Sequence, residues 1–338
     1  MFIIIEGTDA SGKSTLIEAV HAEAKRRYPD RKIHLLHKGR PEEETRRWVI
    51  KDYVLSVEGI DLDEDIIIAD RWHWGEATYA PLKRPHTDKD GFGLLGEAGW
   101  RWTELFLASR GVAHFWLRQP LSVVKKRLTA RGDDYVRVDE LGKILKLHKK
   151  ASKHSYFSVK VQPKKSHTIE HVPTLAGEML DWAEGMANRV EGLRPYRHYI
   201  GGPNPRVLLV GDERPSKPWY GDSTRLPFIP VDGNSGNYLM SSLNSDFWRE
   251  VGIVNANESP ETFLALWTEL GNPSIVALGR EAEKTLAKLG LKDRSDYAVL
   301  PHPQFVRRFF NKRKDQYGRA IARISKNIDS KDEKWILQ

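Results

Sequence analysis

Gly7-Thr8-Asp9-Ala10-Ser11-Gly12-Lys13-Ser14, followed by Thr15, is the stretch that decides how this chain folds. It fits G-x-x-x-x-G-K-[ST], a loop whose glycines let successive backbone N–H groups turn inward around a phosphate. Met1-Phe2-Ile3-Ile4-Ile5-Glu6 precedes it, a short apolar run that reads as a buried parallel strand. Residues 15–27 follow, rich in helix formers, with Leu16, Val20 and Ala24 at helical spacing. Strand, glycine loop and helix are the context the motif requires, and a helix N-terminus adds positive potential for an anion. Gly7, Ala10, Ser11, Gly12, Lys13, Ser14 and Thr15 are the candidate phosphate-binding residues. Lys13 would reach the outer phosphates of a nucleotide, and the Ser14 hydroxyl would help hold Mg²⁺.

Outward from that loop, the first half alternates strands and helices. Residues 32–37 read as a second strand, broken by Lys38-Gly39-Arg40-Pro41, and 42–54 as a helix. Ile66–Asp70 is a third strand, with Asp70 and Arg71 at its carboxyl end, where parallel sheets collect their ligands. An acid there supports Mg²⁺ through water, and an arginine faces a phosphate. Trp72-His73-Trp74-Gly75-Glu76-Ala77-Thr78-Tyr79 combines aromatics with a carboxylate and suits a pocket for a base and sugar; a packed helix start is the bland alternative. Helices are expected at 100–110, 121–131 and 144–153, a fourth strand at 112–117, a fifth at 168–172, and a last helix from a Thr174 cap to about Val190. Between Leu141 and Lys165 stand eight lysines and no acid, a solvated face or a polyanion-binding one.

Gly192–Pro205 holds three prolines and three glycines and reads as a linker between a domain at 1–191 and a second at 206–326; residues 327–338 read as a loose tail. The second half begins again with a buried strand at 206–212, and further strands are expected at 251–255, 274–279 and 297–302, with helices from about Asn237 and at 280–289. Both halves are therefore expected to be α/β.

The chain of 338 residues has room for two cores. No apolar run approaches a bilayer span, so no membrane partner is expected. The lack of cysteine excludes disulfides and iron–sulfur clusters and fits a cytoplasmic setting. The 54 Lys and Arg against 46 Asp and Glu give a net charge of +8, which suits polyanionic partners.

Residues 1–190 resemble thymidylate kinase and, more loosely, the deoxynucleoside kinases. The resemblance rests on residues 2–15, on Asp70-Arg71-Trp72, and on Arg127-Leu128-Thr129-Ala130-Arg131-Gly132. It implies a P-loop nucleotide kinase, a parallel sheet with helices on both faces, using ATP and Mg²⁺, with a homodimer within its range. It makes Lys13, Asp9, Arg127 and Arg131 catalytic, the last two as lid arginines, with Ser14 and Asp70 serving the metal. Asp9, Arg40, Arg71, Trp72, Glu76 and Tyr79 become the acceptor site, and Asp9 within the loop favours a nucleoside monophosphate. The altered segments around Arg40 and Glu76 leave dTMP or a modified analogue open as acceptor.

Residues 206–322 resemble the uracil-DNA glycosylase superfamily through Val210-Gly211-Asp212-Glu213, Pro227-Phe228, Ser235-Gly236, Asn255, residues 275–282 and His302-Pro303-Gln304. That likeness implies a second three-layer α/β domain with a base pocket of Asp212, Phe228, Asn255 and His302. Departures at Glu213 to Pro215 and Gln304 favour binding without base excision. With the basic, aromatic stretch 307–326, the likeness makes DNA a candidate partner. A kinase joined to such a domain suits a phage that handles unusual pyrimidines, which would put it in the host cytoplasm. Two rivals stay open: a kinase acting on a hydroxymethylpyrimidine within DNA, and a DNA glycosylase or DNA-binding protein regulated by its P-loop domain.

Overall fold

The computed structural model describes residues 1–57, 59–87, 90–132, 135–156, 159–161, 171–196, 198–211, 226–231, 233–244, 246–256 and 259–325. These form two compact units, one of Met1–Gly96 with Arg110–Arg189, the other of Glu97–Ser109 with Val190–Gln338.

In the first unit β1 (Phe2–Glu6) is wholly buried and leads through the glycine loop to α1 (Lys13–Arg27), whose buried stripe includes Leu16, Val20 and Ala24. Then come β2 (Ile33–His37), α2 (Arg46–Leu55), β3 (Ile66–Asp70) and the short α3 (Trp74–Thr78) and α4 (Ala80–Lys83). The next helix, α5 (Gly96–Ala108), is followed by β4 (Ala113–Leu117), α6 (Leu121–Arg131), α7 (Leu141–His154), β5 (Val159–Val161) and α8 (Val172–Asn188). Five parallel strands stand in the order β2-β3-β1-β4-β5. Chain direction across the sheet reverses at β1, so the carboxyl end of β1 is the switch point where such sheets bind ligands. Ile3, Ile5, Leu16, Val20, Ile68, Phe115 and Met179 fill the core beneath it.

The fifth strand differs from the sequence expectation. Val159–Val161 pairs with β4, with Val159 opposite Phe115, whereas Val172 opens α8; residues 168–170 lie outside the described residues. Pro173 in the first turn is preorganised for a helix start, so α8 begins before Thr174, which does not cap it.

The helix expected near Trp100 within the first domain, α5, contributes Glu97–Ser109 to the second unit. Arg101 donates to the Met240 carbonyl at 3.0 Å and the Trp102 indole to the Pro227 carbonyl at 3.0 Å. The residues expected as a linker belong to this unit as well. Tyr199 is buried, its hydroxyl donating to the Gly202 carbonyl at 2.6 Å, and Ile200 bridges to Ile253.

The second unit continues with β6 (Val207–Gly211), α9 (Ser235–Ser242), β7 (Val251–Asn255), α10 (Pro260–Glu269), β8 (Ser274–Leu278), α11 (Arg280–Lys288), β9 (Tyr297–Leu300), α12 (Pro303–Phe310) and α13 (Lys314–Ile324). Its four strands are parallel in the order β7-β6-β8-β9, with β6 at the reversal. Among the described residues, no helix is long and apolar enough to cross a membrane.

Candidate functional site

The glycine loop is shaped by contacts that only glycine allows. A side chain at Gly7 would meet the Leu117 carbonyl at 2.9 Å, and Gly12 adopts φ +94° as it caps α1. The loop closes over Lys13, whose Nζ donates to the Thr8 carbonyl at 3.1 Å. Burial, and then Arg71, push the Lys13 ammonium down to about 8, against the attraction of Asp70, Asp9 and Glu6. A phosphate here would replace the Thr8 contact and restore the full charge.

Asp9 projects from the same loop into a cavity of about 730 Å³ that is also lined by Lys13, Ser14, Asp70, Arg71, Arg127 and Arg131. Its carboxylate pairs with Arg71 and accepts the Tyr79 hydroxyl at 2.9 Å. Burial works to raise the Asp9 carboxyl, but Arg71, Lys13 and the Tyr79 hydroxyl outweigh it and hold the group below its ordinary value. Arg71 is in the left-handed region at φ 66°, which aims its guanidinium back over Tyr79, 5.0 Å from the ring centre. Arg127 reaches from α6 to the Ser11 carbonyl at 3.3 Å, above the loop.

Ser14 and Asp70 line this cavity, and Asp70 Oδ1 is buried without a partner among the described residues. An oxygen acceptor left open beside a phosphate loop fits Mg²⁺ held partly through water.

Four of the expected acceptor residues do not line the cavity; one of them, Tyr79, is tied to it by its hydrogen bond to Asp9. Arg40 is exposed and pairs with Glu44 at 2.8 Å, four residues along the chain. Trp72 is core, stacked on Tyr53 at 5.3 Å and edge-on to Phe2 at 5.4 Å. Glu76 is buried, bound to Arg84 at 2.6 Å and to the Leu94 amide at 2.8 Å, because a buried carboxylate needs its charge and lone pairs answered. The composition of 72–79 suggested a pocket, but its aromatics and carboxylate chiefly serve packing.

Other residues line the cavity without having been expected there. His37, at the carboxyl end of β2, bonds Asp70 Oδ2 through Nδ1 at 3.1 Å. Its signal was its place at a strand end beside the one carrying Asp70. Gln119, His171, Val172 and Leu175 also line the cavity; no local pattern marks them.

His148 on α7 lies one ring behind this group, edge-on to Tyr79 at 6.1 Å and stacked near Trp116 at 6.3 Å. Its Nδ1 meets the Ile144 carbonyl at 3.1 Å, so Nδ1 carries the proton and donates, while Nε2 is buried without a partner among the described residues. Burial, opposed by that carbonyl, drives the imidazole down to about 3. Below pH 6.5 the unfolded chain takes up a proton that the folded chain refuses, so stability falls as pH drops from 6.5 toward 3. The slope is about 1.4 kcal/mol per pH unit. Urea unfolding at pH 7 and pH 5 should therefore show the wild type losing about 2 kcal/mol more than His148→Phe. Equal losses would mean that His148 is protonated in the fold.

In the second unit, Phe228, Asn255 and His302 meet at the carboxyl edge of the sheet. The Phe228 and His302 rings are 5.9 Å apart. A side chain at Gly211 would meet the Phe228 ring at 2.5 Å and Asn255 Oδ1 at 3.0 Å, so glycine there lets both approach. Asn255 is 3% exposed, and its Nδ2 donor has no partner among the described residues. His302 Nδ1 accepts the Gln304 amide at 3.2 Å, which leaves the proton of a neutral ring on Nε2. Asp212 lies outside the described residues. The basic stretch from Arg307 onward forms the end of α12 and α13, with Phe305 and Phe309 exposed and 4.9 Å apart.

No family model matches the chain, and no curated protein does. Among solved structures it is similar to the YorR protein of Bacillus subtilis in complex with phosphorylated GDP, at 20% identity and TM-score 0.43, over 55% of this chain and 98% of that one. It is also similar to deoxyadenosine kinase from M. mycoides with products dCMP and dCDP bound, at 16% identity and TM-score 0.32, over 54% and 99%. The same kinase with dATP matches at 16% and 0.33, over 54% and 100%. Likeness at these levels fixes neither substrate nor activity for this chain.

Proposed function

We propose that the first unit transfers the γ-phosphoryl group of ATP to a pyrimidine deoxynucleoside monophosphate, dTMP or a modified analogue. The observation that carries this reading is Asp9, anchored by Arg71 and Tyr79 inside the phosphate loop and beside Lys13. A carboxylate so placed can receive a sugar hydroxyl while Arg71 offers charge to the acceptor. Lys13 and the loop amides hold the β- and γ-phosphates, and Arg127 and Arg131 lie over the transferring group. The bond from the γ-phosphorus to the bridging oxygen breaks as one forms to an acceptor phosphate oxygen. That oxygen needs no base, because a monophosphate's second pKa is about 6. Mg²⁺, when bound through Ser14 and Asp70, neutralises charge on the phosphates.

Labelled ATP offered with each deoxynucleoside monophosphate in turn tests the reading. Label should pass to a pyrimidine monophosphate. Label appearing only in a duplex containing hydroxymethyluracil would replace it with the DNA-kinase alternative.

The Asn255 amide, unpartnered among the described residues, supports a second reading, for the second unit alone: a pocket that reads a base edge, with Phe228 stacking on the base, as in the uracil-DNA glycosylase superfamily. Binding without excision is expected of it. Release of free uracil from a uracil-containing strand would make it a glycosylase.

A further inference from the structure

Helix α7 has two chemically distinct faces. Leu141, Ile144, His148 and Ala151 are buried, and His148 packs against Tyr79, which holds Asp9. Lys143, Lys146, Lys149, Lys150 and Lys153 are exposed, and the helix carries no acid. Lys143, Lys146, Lys150 and Lys153 fall at spacings of three and four, a single stripe about 15 Å long.

A solvated helix face ordinarily mixes signs, because like charges three or four residues apart repel. Here Lys143, Lys146 and Lys149 make no ion pair among the described residues. The acids at the N-terminal edge of the helix are already engaged, Glu140 by Lys83 at 2.7 Å and Asp139 by Arg137 at 3.3 Å. Helix α6 packs against α7 through Val124, Leu128, Leu141 and Ile144, and it adds exposed Lys125 and Lys126, again with no acid. A band of exposed lysine charge therefore runs along the side of α7 away from His148, the residue that packs against Tyr79.

We infer that this face docks the sugar–phosphate backbone of a single-stranded polynucleotide. The inference deepens the acceptor reading and rests on it in one respect, that the accepting nucleotide enters beside Asp9. Regularly spaced lysines on a rigid helix match a repeating anion better than an isolated one. A single strand is favoured because a base paired in a duplex could not reach the acceptor group without leaving the stack. The surface would hold a strand whose terminal monophosphate is the accepting group, since an internal phosphate is a diester with no oxygen free to take the γ-phosphoryl group.

The test is fluorescence anisotropy of a labelled 15-nucleotide oligodeoxythymidylate with the full-length protein, across 50 to 300 mM salt. The comparison protein is Lys143→Gln/Lys146→Gln/Lys149→Gln, which keeps helix propensity and removes three charges. Each lost phosphate contact flattens the log–log salt slope by about 0.7, so the triple variant should lose about 2 units of slope. Its affinity should fall roughly a hundredfold at 0.1 M salt. Transfer to free monophosphates should be unchanged, since none of the three touches the cavity. The same effect in a protein inactive on every monophosphate would leave the dock standing and remove the acceptor reading. An unchanged slope, no binding by the wild type, or binding only to phosphatidylserine vesicles would overturn the dock.

Discussion

Lys13→Ala lowers kcat/KM for phosphoryl transfer by about 10³-fold or more, with the fold retained. The ammonium is buried and meets the loop only through the Thr8 carbonyl, so it is held ready for phosphate oxygens rather than committed to a structural ion pair. Removing it takes a preorganised charge from a water-poor site, where one such donor is worth about 10²–10³ in rate, and weakens triphosphate binding as well. Asp9 retains Arg71 and Tyr79 in the variant, so the acceptor side stays assembled. Steady-state kinetics beside a thermal melt separate lost chemistry from lost fold. Activity within tenfold of wild type in a folded variant would take the loop out of the mechanism.

Arg127→Ala costs about 10³–10⁵ in kcat, the range of a guanidinium that meets charge developing on a transferring phosphoryl group. The loop supplies no arginine of its own, and Arg127 lies against it, its Nη1 3.4 Å from where a Gly12 side chain would stand. Arg127 is exposed on α6, so its loss leaves the core intact. Lysine in its place recovers little, because the planar fork that spans two oxygens is absent. The measurement is single-turnover transfer at saturating ATP for Arg127→Ala, Arg127→Lys and Arg131→Ala. If Arg131→Ala showed the larger loss, the roles of the two would be exchanged.

What could be read from the residues alone follows the range of the interactions. β1, the glycine loop and α1 are local, and their ends and buried stripe agree with the pattern in residues 2–27. Asp9, Lys13, Ser14 and Asp70 reach one cavity because strand ends and a loop motif put them there. Glu76 is answered by Arg84, eight residues on, and no spacing rule announces that pair. Arg40 pairs with Glu44, four residues on, along its own segment, a contact its place after β2 does not announce. His37 was missed since only the pairing of β2 with β3 sets it beside Asp70. The short β5 carries little pattern in its three residues, and its partner stands forty-four residues earlier, in β4.

The membership of α5 has a consequence for how this protein is made and cut. The second unit is assembled from two stretches of chain, the earlier emerging from the ribosome about eighty residues before the later one begins. Trp102 must wait for the Pro227 carbonyl, and Arg101 for the carbonyls of Met240 and Leu243, none of them yet synthesised. No single cut near residue 200 yields two self-sufficient fragments. The upstream piece would carry an orphaned aromatic helix, and the downstream piece would lack one of its own core elements. The two activities proposed for this chain are therefore inherited together, and neither can be shed by a simple truncation.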